Sequence, residues 1–62
     1  MANTDPILLN VVDAATTLSI SRSRLYELLA RGDIPTIHIG RLRRIPRRAL
    51  EDYVERLERD AV

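Results

Sequence analysis

Every basic residue of this chain is an arginine, and eight of the ten lie between residues 21 and 48. That stretch holds only Glu27 and Asp33 as acids, a net +6, whereas residues 1–20 carry −2 and residues 49–62 carry −3. The total of +1 therefore conceals a basic middle. A guanidinium is a planar fork that suits phosphate oxygens and the O6/N7 edge of guanine. Five arginines, at 41, 43, 44, 47 and 48, crowd into eight residues. Like charges that close repel, and an anionic partner is the better account of them than a solvated face. Arg22, Arg24 and Arg31 stand in a second stretch, beside Ser21, Ser23, Tyr26 and Glu27. Glutamate can accept from cytosine N4, so this second stretch carries both signs needed to read base edges.

Other chemistry is poorly provided for. There is no cysteine and only one histidine, His38, so neither a thiolate nor a histidine metal cluster is expected. No glycine-rich phosphate loop or acid pair on a pocket-forming scaffold is visible, and no catalytic residue, cofactor or metal is assigned. The 62 residues amount to one domain at most, with too little chain to enclose a water-excluding cleft. No apolar stretch approaches the ~20 residues of a membrane helix, and nothing resembles a signal peptide, so a cytoplasmic location is expected. Hydrophobic residues are 45% of the chain and only Tyr26 and Tyr53 are aromatic, which predicts an aliphatic core.

The elements that must position the arginines follow from the apolar spacing. Residues 1–7 lack periodicity and read as a flexible tail. Asn10 is a candidate N-cap with Asp13 at capping-box spacing, and Ala14, Ala15 and Leu18 continue a first helix. Ser21 caps a second helix, in which Leu25, Leu28 and Leu29 make one apolar stripe. Gly32 ends it, and Pro35 keeps the chain out of a helix. Thr36 to Ile39 alternates as a strand, Gly40-Arg41 is a type II′ turn signal, and Leu42 to Ile45 returns. Pro46 suits the first turn of a last helix, which runs roughly to Arg59. Its expected buried face is Ala49, Leu50, Tyr53, Val54 and Leu57, with Asp52/Arg56 and Glu55/Arg59 as surface ion pairs. Leu25, Leu28, Leu50 and Leu57 are expected to share a core with Ala15 and Ile45.

The first two helices are separated only by Ser19 and Ile20, which is helix-turn-helix spacing. Ala14, Leu18, Ile20, Leu25 and Leu28 fall on the motif's packed positions, and small Ala15 falls where the helices touch. Ser19 occupies the turn position that usually wants glycine, where a left-handed backbone costs a non-glycine residue about 1–2 kcal/mol. With the leucines inward, the second helix turns Ser23, Glu27 and Ala30 outward, flanked by Arg24, Tyr26 and Arg31. Arg22 lies in the first turn, the part of a recognition helix that meets base edges. The backbone N–H groups at Ser21 can hold a phosphate. Arg41, Arg43 and Arg44, with Arg47 and Arg48 directly after them, form a basic wing suited to a phosphate backbone or an adjacent minor groove. Two bland readings stand beside these. Tyr26 can be partly buried packing, and Glu27 can pair with Arg24 or Arg31. His38 reads as an outward strand residue.

From Leu8 to Leu57 the chain resembles the small excisionase-type DNA-binding proteins of the MerR superfamily. The resemblance rests on Leu9-Asn10-Val11-Val12-Asp13-Ala14-Ala15, Ile20-Ser21-Arg22-Ser23-Arg24-Leu25-Tyr26, Arg31-Gly32-Asp33-Ile34-Pro35, Ile39-Gly40-Arg41 and Arg44-Ile45-Pro46-Arg47. It implies a mainly α fold with a small β-hairpin, a winged helix-turn-helix in the order helix, helix, hairpin, helix. It implies the second helix as reader and the hairpin as wing. Two roles follow from it: a recombination directionality factor that bends attachment-site DNA to steer an integrase, and a small transcriptional regulator. It also implies head-to-tail alignment on direct repeats. Ser19 departs from the family's turn glycine. Arg43 stands where an aromatic is frequent, which should make the wing more basic and less well packed.

The domain is expected over residues 8–59, with 60–62 as a C-terminal end. Double-stranded DNA is the expected partner, with an integrase and further copies of the chain as candidates, and the free protein is expected to be a monomer. Brevity favours the directionality factor, since it leaves no room for a ligand-sensing or dimerisation domain. A stand-alone regulator is the alternative. A protein-interaction module docking through the acidic last helix is the third option.

Overall fold

The structure is a computed structural model and describes residues 6–61. The tail over residues 1–5 and the final Val62 lie outside the described residues. The elements run β1 (Leu8–Leu9), α1 (Val11–Leu18), α2 (Arg22–Ala30), β2 (Ile37–Ile39), β3 (Leu42–Pro46) and α3 (Arg47–Asp60). Among the described residues, three helices and a small antiparallel hairpin make the winged helix-turn-helix that the resemblance implies.

Local chemistry sets the helix boundaries. The Asn10 side chain accepts from the Asp13 backbone N–H at 2.8 Å, and the Ser21 hydroxyl accepts from Arg24 N–H at 3.1 Å. Each satisfies one of the donors that a helix start leaves unpaired. Both helices then end the same way. Ser19 takes φ 59° and Gly32 φ 80°, both left-handed. Around Ser19, Ile20 N–H reaches Ala15 O and Ser19 N–H reaches Thr16 O, each at 3.0 Å. Around Gly32, Asp33 N–H reaches Leu28 O at 3.0 Å and Gly32 N–H reaches Leu29 O at 3.1 Å. This is the Schellman arrangement twice over. Serine thus adopts the strained conformation that the helix-turn-helix turn demands.

The sheet has the order β1-β3-β2, with β3 in the middle. The hairpin pairs Ile37 with Arg44, His38 with Arg43 and Ile39 with Leu42. It begins at Ile37 rather than Thr36, whose hydroxyl instead accepts from Arg43 Nε at 3.4 Å. Gly40 has φ 61°, and a Cβ there would touch nothing, so the turn selects glycine for its backbone and not for space. On the other side of β3, Leu8 pairs with Pro46 and Leu9 with Ile45. Periodicity does not reveal a two-residue strand. Leu9, which reads in sequence as the approach to a helix, is instead a buried strand residue. Ile7, placed in the tail by composition, accepts from Arg47 N–H at 2.8 Å. Helix α3 starts at Arg47, as expected, with Pro46 as the last residue of β3 and the N-cap of α3, in extended backbone.

The core comprises Leu9, Ala14, Ala15, Leu25, Leu28, Leu29, Ile34, Ile45, Ala49 and Leu50. Ile34 is a member that its isolation between Asp33 and Pro35 hides. The expected buried face of α3 is corrected at its far end. Val54 is exposed and Leu57 is 49% exposed, because the core lies against the first turns of α3 and the helix outruns it. Tyr53 is the last residue of that face to pack, half-buried. Arg56 does not pair with Asp52. Its Nη2 donates to the Asp33 carbonyl at 2.6 Å and its guanidinium lies 5.7 Å from the centre of the Tyr53 ring. That contact ties α3 to the exit of α2. Glu55 and Arg59 pair as expected, at 3.3 Å.

These burials predict opposite outcomes for two leucines of the expected core. Leu28 is 4% exposed, and Leu28→Ala should cost about 2–5 kcal/mol. A domain this small holds about that much in reserve, so the variant should be largely unfolded at growth temperature. Leu57→Ala should melt within a few degrees of the parent. Circular dichroism melts of the two variants test the assignment, and a Leu28→Ala melt matching the parent's would contradict it.

Candidate nucleic-acid interface

Helix α2 buries Leu25, Leu28 and Leu29 and leaves the rest of its surface in solvent. Arg22, Ser23, Arg24, Tyr26, Glu27 and Ala30 are all exposed. Tyr26 is 52% exposed, so it is a surface side chain and not the partly buried packing residue that its neighbours suggested. Arg24 Nη1 meets Glu27 Oε1 at 2.8 Å, both side chains more than half exposed. Of the two partners open to Glu27, each about one turn away, Arg24 is the one it meets. Arg31 instead pairs with Asp33 through Nε, at 3.3 Å. Exposed pairs of this kind are worth about 0–1 kcal/mol, so an incoming phosphate or base can displace either at little expense. Arg22 makes no ion pair among the described residues and stands in the first turn, next to the capped Ser21 terminus. The N-terminus of α2 therefore combines free backbone donors with an unengaged guanidinium.

The hairpin carries the second cluster. Arg41 sits in the turn itself, Arg43 and Arg44 on β3, and Arg47 and Arg48 open α3. Arg43 and Arg44 point to opposite faces, as their cross-strand partners His38 and Ile37 require. His38 is exposed, although the register puts it on the same side of the sheet as Ile45. Arg43, in place of an aromatic, rests on the Thr36 hydroxyl and remains exposed. Arg44 Nη1 donates to its neighbour's carbonyl at 2.9 Å, which folds it back along the strand and leaves it half-buried. Arg47 is half-buried and engaged. The spacing that singles out these arginines does not show which of them the fold holds in place. That depends on contacts made across the hairpin and with the segment before α1.

Among the described residues no group of His, Cys, Asp and Glu is arranged to hold a metal ion, and no helix is long and apolar enough to cross a membrane. A shallow groove of about 160 Å³ runs between Leu18, Ile20, Leu28, Tyr53, Val54 and Leu57, where α3 overhangs the core.

Comparison with known proteins agrees with this architecture. Residues 8–58 match the family model described as a helix-turn-helix domain. A "Probable excisionase" of Saccharopolyspora erythraea is 51% identical over 51 residues, which covers 82% of this chain and 52% of that protein. Two proteins of Mycobacterium tuberculosis, from strains CDC 1551 / Oshkosh and ATCC 25618 / H37Rv, are each named "Putative DNA-binding protein". Each is 32% identical over 48 residues, covering 77% of this chain and 62% of its own length. The chain thus spans between about half and two thirds of the length of these relatives. No solved structure matches. With the family model spanning both helices of the motif, the hairpin and most of α3, the chain belongs to the helix-turn-helix domain family, whose motif is a DNA-binding one.

Proposed function

We propose that this domain binds specific DNA sequences and acts as an excisionase-type directionality factor, bending attachment-site DNA so that an integrase is steered towards excision. The observation that carries the reading is the pairing of an open reader helix with an arginine hairpin on one small scaffold. Half identity to a protein named as an excisionase supports the choice of role. A stand-alone transcriptional regulator of the MerR superfamily is the second reading. The mycobacterial relatives, whose names give DNA binding alone, fit either role.

In this reading α2 enters the major groove by its N-terminal turn. Arg22 addresses guanine, and Ser23, Arg24, Tyr26 and Glu27 line the same approach. Ser21 and the adjacent backbone N–H groups take a phosphate, Arg31 flanks the helix end, and the small Ala30 permits close approach. Arg41, Arg43, Arg44 and Arg47 neutralise the neighbouring backbone or minor groove. Footprinting on DNA flanking the coding region, with and without the purified protein, tests the role. A footprint on paired repeats at an attachment site supports the directionality factor, and one confined to a promoter supports the regulator.

A single module of this kind buries about 600–1,000 Å² on DNA, too little for tight specific binding alone. Adjacent copies on repeated sites supply the remainder. Glu51, Asp52, Glu55 and Glu58 are all exposed on α3, opposite in sign to the hairpin. Each copy's α3 then meets the next copy's wing head-to-tail, a contact that does not close on itself and continues along the duplex. The free protein is a monomer.

Three outcomes are expected. Replacing Arg41, Arg43 and Arg44 together by alanine should weaken binding to all sequences alike. It should also flatten the plot of log affinity against log salt by about 2–3 units; an unchanged slope in a folded variant removes the wing from the interface. Arg22→Ala should cost about 1–3 kcal/mol on the specific site and little on random DNA, as measured by competition titrations. Equal losses on both would reduce Arg22 to a backbone contact. Reversing Glu51, Asp52 and Glu55 to lysine should lower cooperativity on tandem sites while single-site affinity holds or rises. Unchanged cooperativity, or a free dimer in sedimentation, would contradict head-to-tail assembly.

A further inference from the structure

The hairpin has one face that its arginines do not explain. The register places Ile37, Ile39, Leu42 and Arg44 on the same side of the two strands, and His38, Arg43 and Ile45 on the other. Ile45 and its partner Leu9 turn into the core, so the side bearing Ile37, Ile39 and Leu42 turns away from it. At the tip, Ile39 and Leu42 face each other directly before and after the Gly40-Arg41 turn. They are 56% and 53% exposed, and Ile37 beside them is 42% exposed. Every residue of β2 is exposed, so the tip projects beyond the packed part of the molecule.

Strand formation alone does not call for this. Threonine is β-branched too and would serve on a solvated face. An exposed apolar residue on an edge strand, as Ile39 is on β2, is also an association hazard that folds ordinarily avoid. What surrounds the pair indicates its occupant. Arg41 lies in the turn between the two side chains, and Arg43 and Arg44 follow at once. An apolar tip beside Arg41, with Arg44 on the same side of the hairpin and Arg43 on the other, fits a polyanion whose interior is apolar, and the stacked bases of duplex DNA behind two phosphate rails are such a target. Proteins that kink DNA from the minor groove do so by inserting apolar side chains between base steps while flanking cations hold the phosphates.

We propose that Ile39 and Leu42, at the tip of the arginine hairpin, form a wedge that enters the minor groove and partly unstacks one base step. The proposal rests on the DNA-binding reading above. Each bound copy then kinks its own site, and bending does not wait for copies to assemble. The preferred step is a pyrimidine–purine one, TA or CA/TG, since these unstack most readily. Selectivity therefore arises at a position that no polar side chain reads.

The test uses a single-site duplex selected from random sequence by the wild-type protein. 2-Aminopurine is placed at successive steps, and a fluorophore pair at the ends reports the bend. At saturating protein, emission should rise several-fold at one step beside the main contact, with a shortened end-to-end distance. Ile39→Thr with Leu42→Ala should abolish the emission rise and remove at least half of the distance change, while the melting curve stays that of a folded protein. Arg41→Ala should raise the concentration needed for saturation and leave the bend at saturation unchanged. A flat emission profile with the wild type would overturn the wedge and leave DNA binding standing. So would an undiminished bend with the double variant. If the double variant bends a single site normally but loses cooperativity on tandem sites, the face belongs to a second copy and the wedge is overturned. A wild-type protein that selects no duplex overturns the DNA-binding reading itself.

Discussion

Strand β3 is the member on which the other elements depend. Its Ile45 has no solvent exposure, and its two edges take β1 on one side and the hairpin's outgoing strand on the other. Pairing Leu9 with Ile45 fixes where the chain enters α1, because Asn10 follows directly and caps that helix. The same strand ends at Pro46, from which α3 departs. One short strand thus sets the place of the helix-turn-helix, the wing and the last helix relative to each other. A wing can position its arginines against a groove only if it is anchored in this way. Ladder hydrogen bonds and one buried isoleucine provide the anchor without enlarging the core.

Among the described residues the core is slight, ten buried residues without an aromatic among them, and its weakness is met by directional contacts at its rim. Arg56 closes the C-terminal side by donating to the Asp33 carbonyl and lying over Tyr53. The two Schellman turns satisfy carbonyls that helices as short as α1 and α2 would otherwise leave to solvent. Ser19 shows the compromise most clearly. The turn between α1 and α2 needs a left-handed residue, and the chain places there one that pays a backbone strain which glycine would avoid. The compensating interactions are the two 3.0 Å turn bonds and the packing of Ile20 against the core.

Charge is distributed by element. Helix α2 and the hairpin are basic at their exposed positions, and the outward face of α3 is acidic. Opposite signs on separate elements leave the molecule nearly neutral while each surface keeps its own preference. The free protein also holds some of its cations in reserve. Arg24 and Arg31 rest on Glu27 and Asp33 in exposed pairs, so self-repulsion is reduced without committing those side chains. Arg22 and Arg41, near the two tips, make no ion pair among the described residues.

The elements with strong local signals were legible from sequence. Asn10, Ser21 and Gly32 mark helix ends by chemistry that acts within a few residues, and Gly40-Arg41 between two strand-like runs signals a hairpin. The leucine stripe of α2 shows its outward face, and with it the candidate reader residues. What sequence misplaced depended on distant partners. Leu8–Leu9 is a strand only because β3 offers an edge, and Ile34 is buried only because the exit of α2 turns it inwards. Val54 and Leu57 keep the helical apolar spacing of Leu50, yet the core ends before them, since spacing reports which face a residue is on and not how far the opposing layer extends. Arg56 could meet Asp52 by helical geometry, but a carbonyl freed at a distant turn lies closer in space. The sequence by itself determined the helix-turn-helix, the hairpin and the basic middle, because periodicity, capping and turn chemistry are local. Only the tertiary structure decided where the core stops, which arginines are engaged and which apolar side chains stand in solvent, because those depend on which distant segments meet.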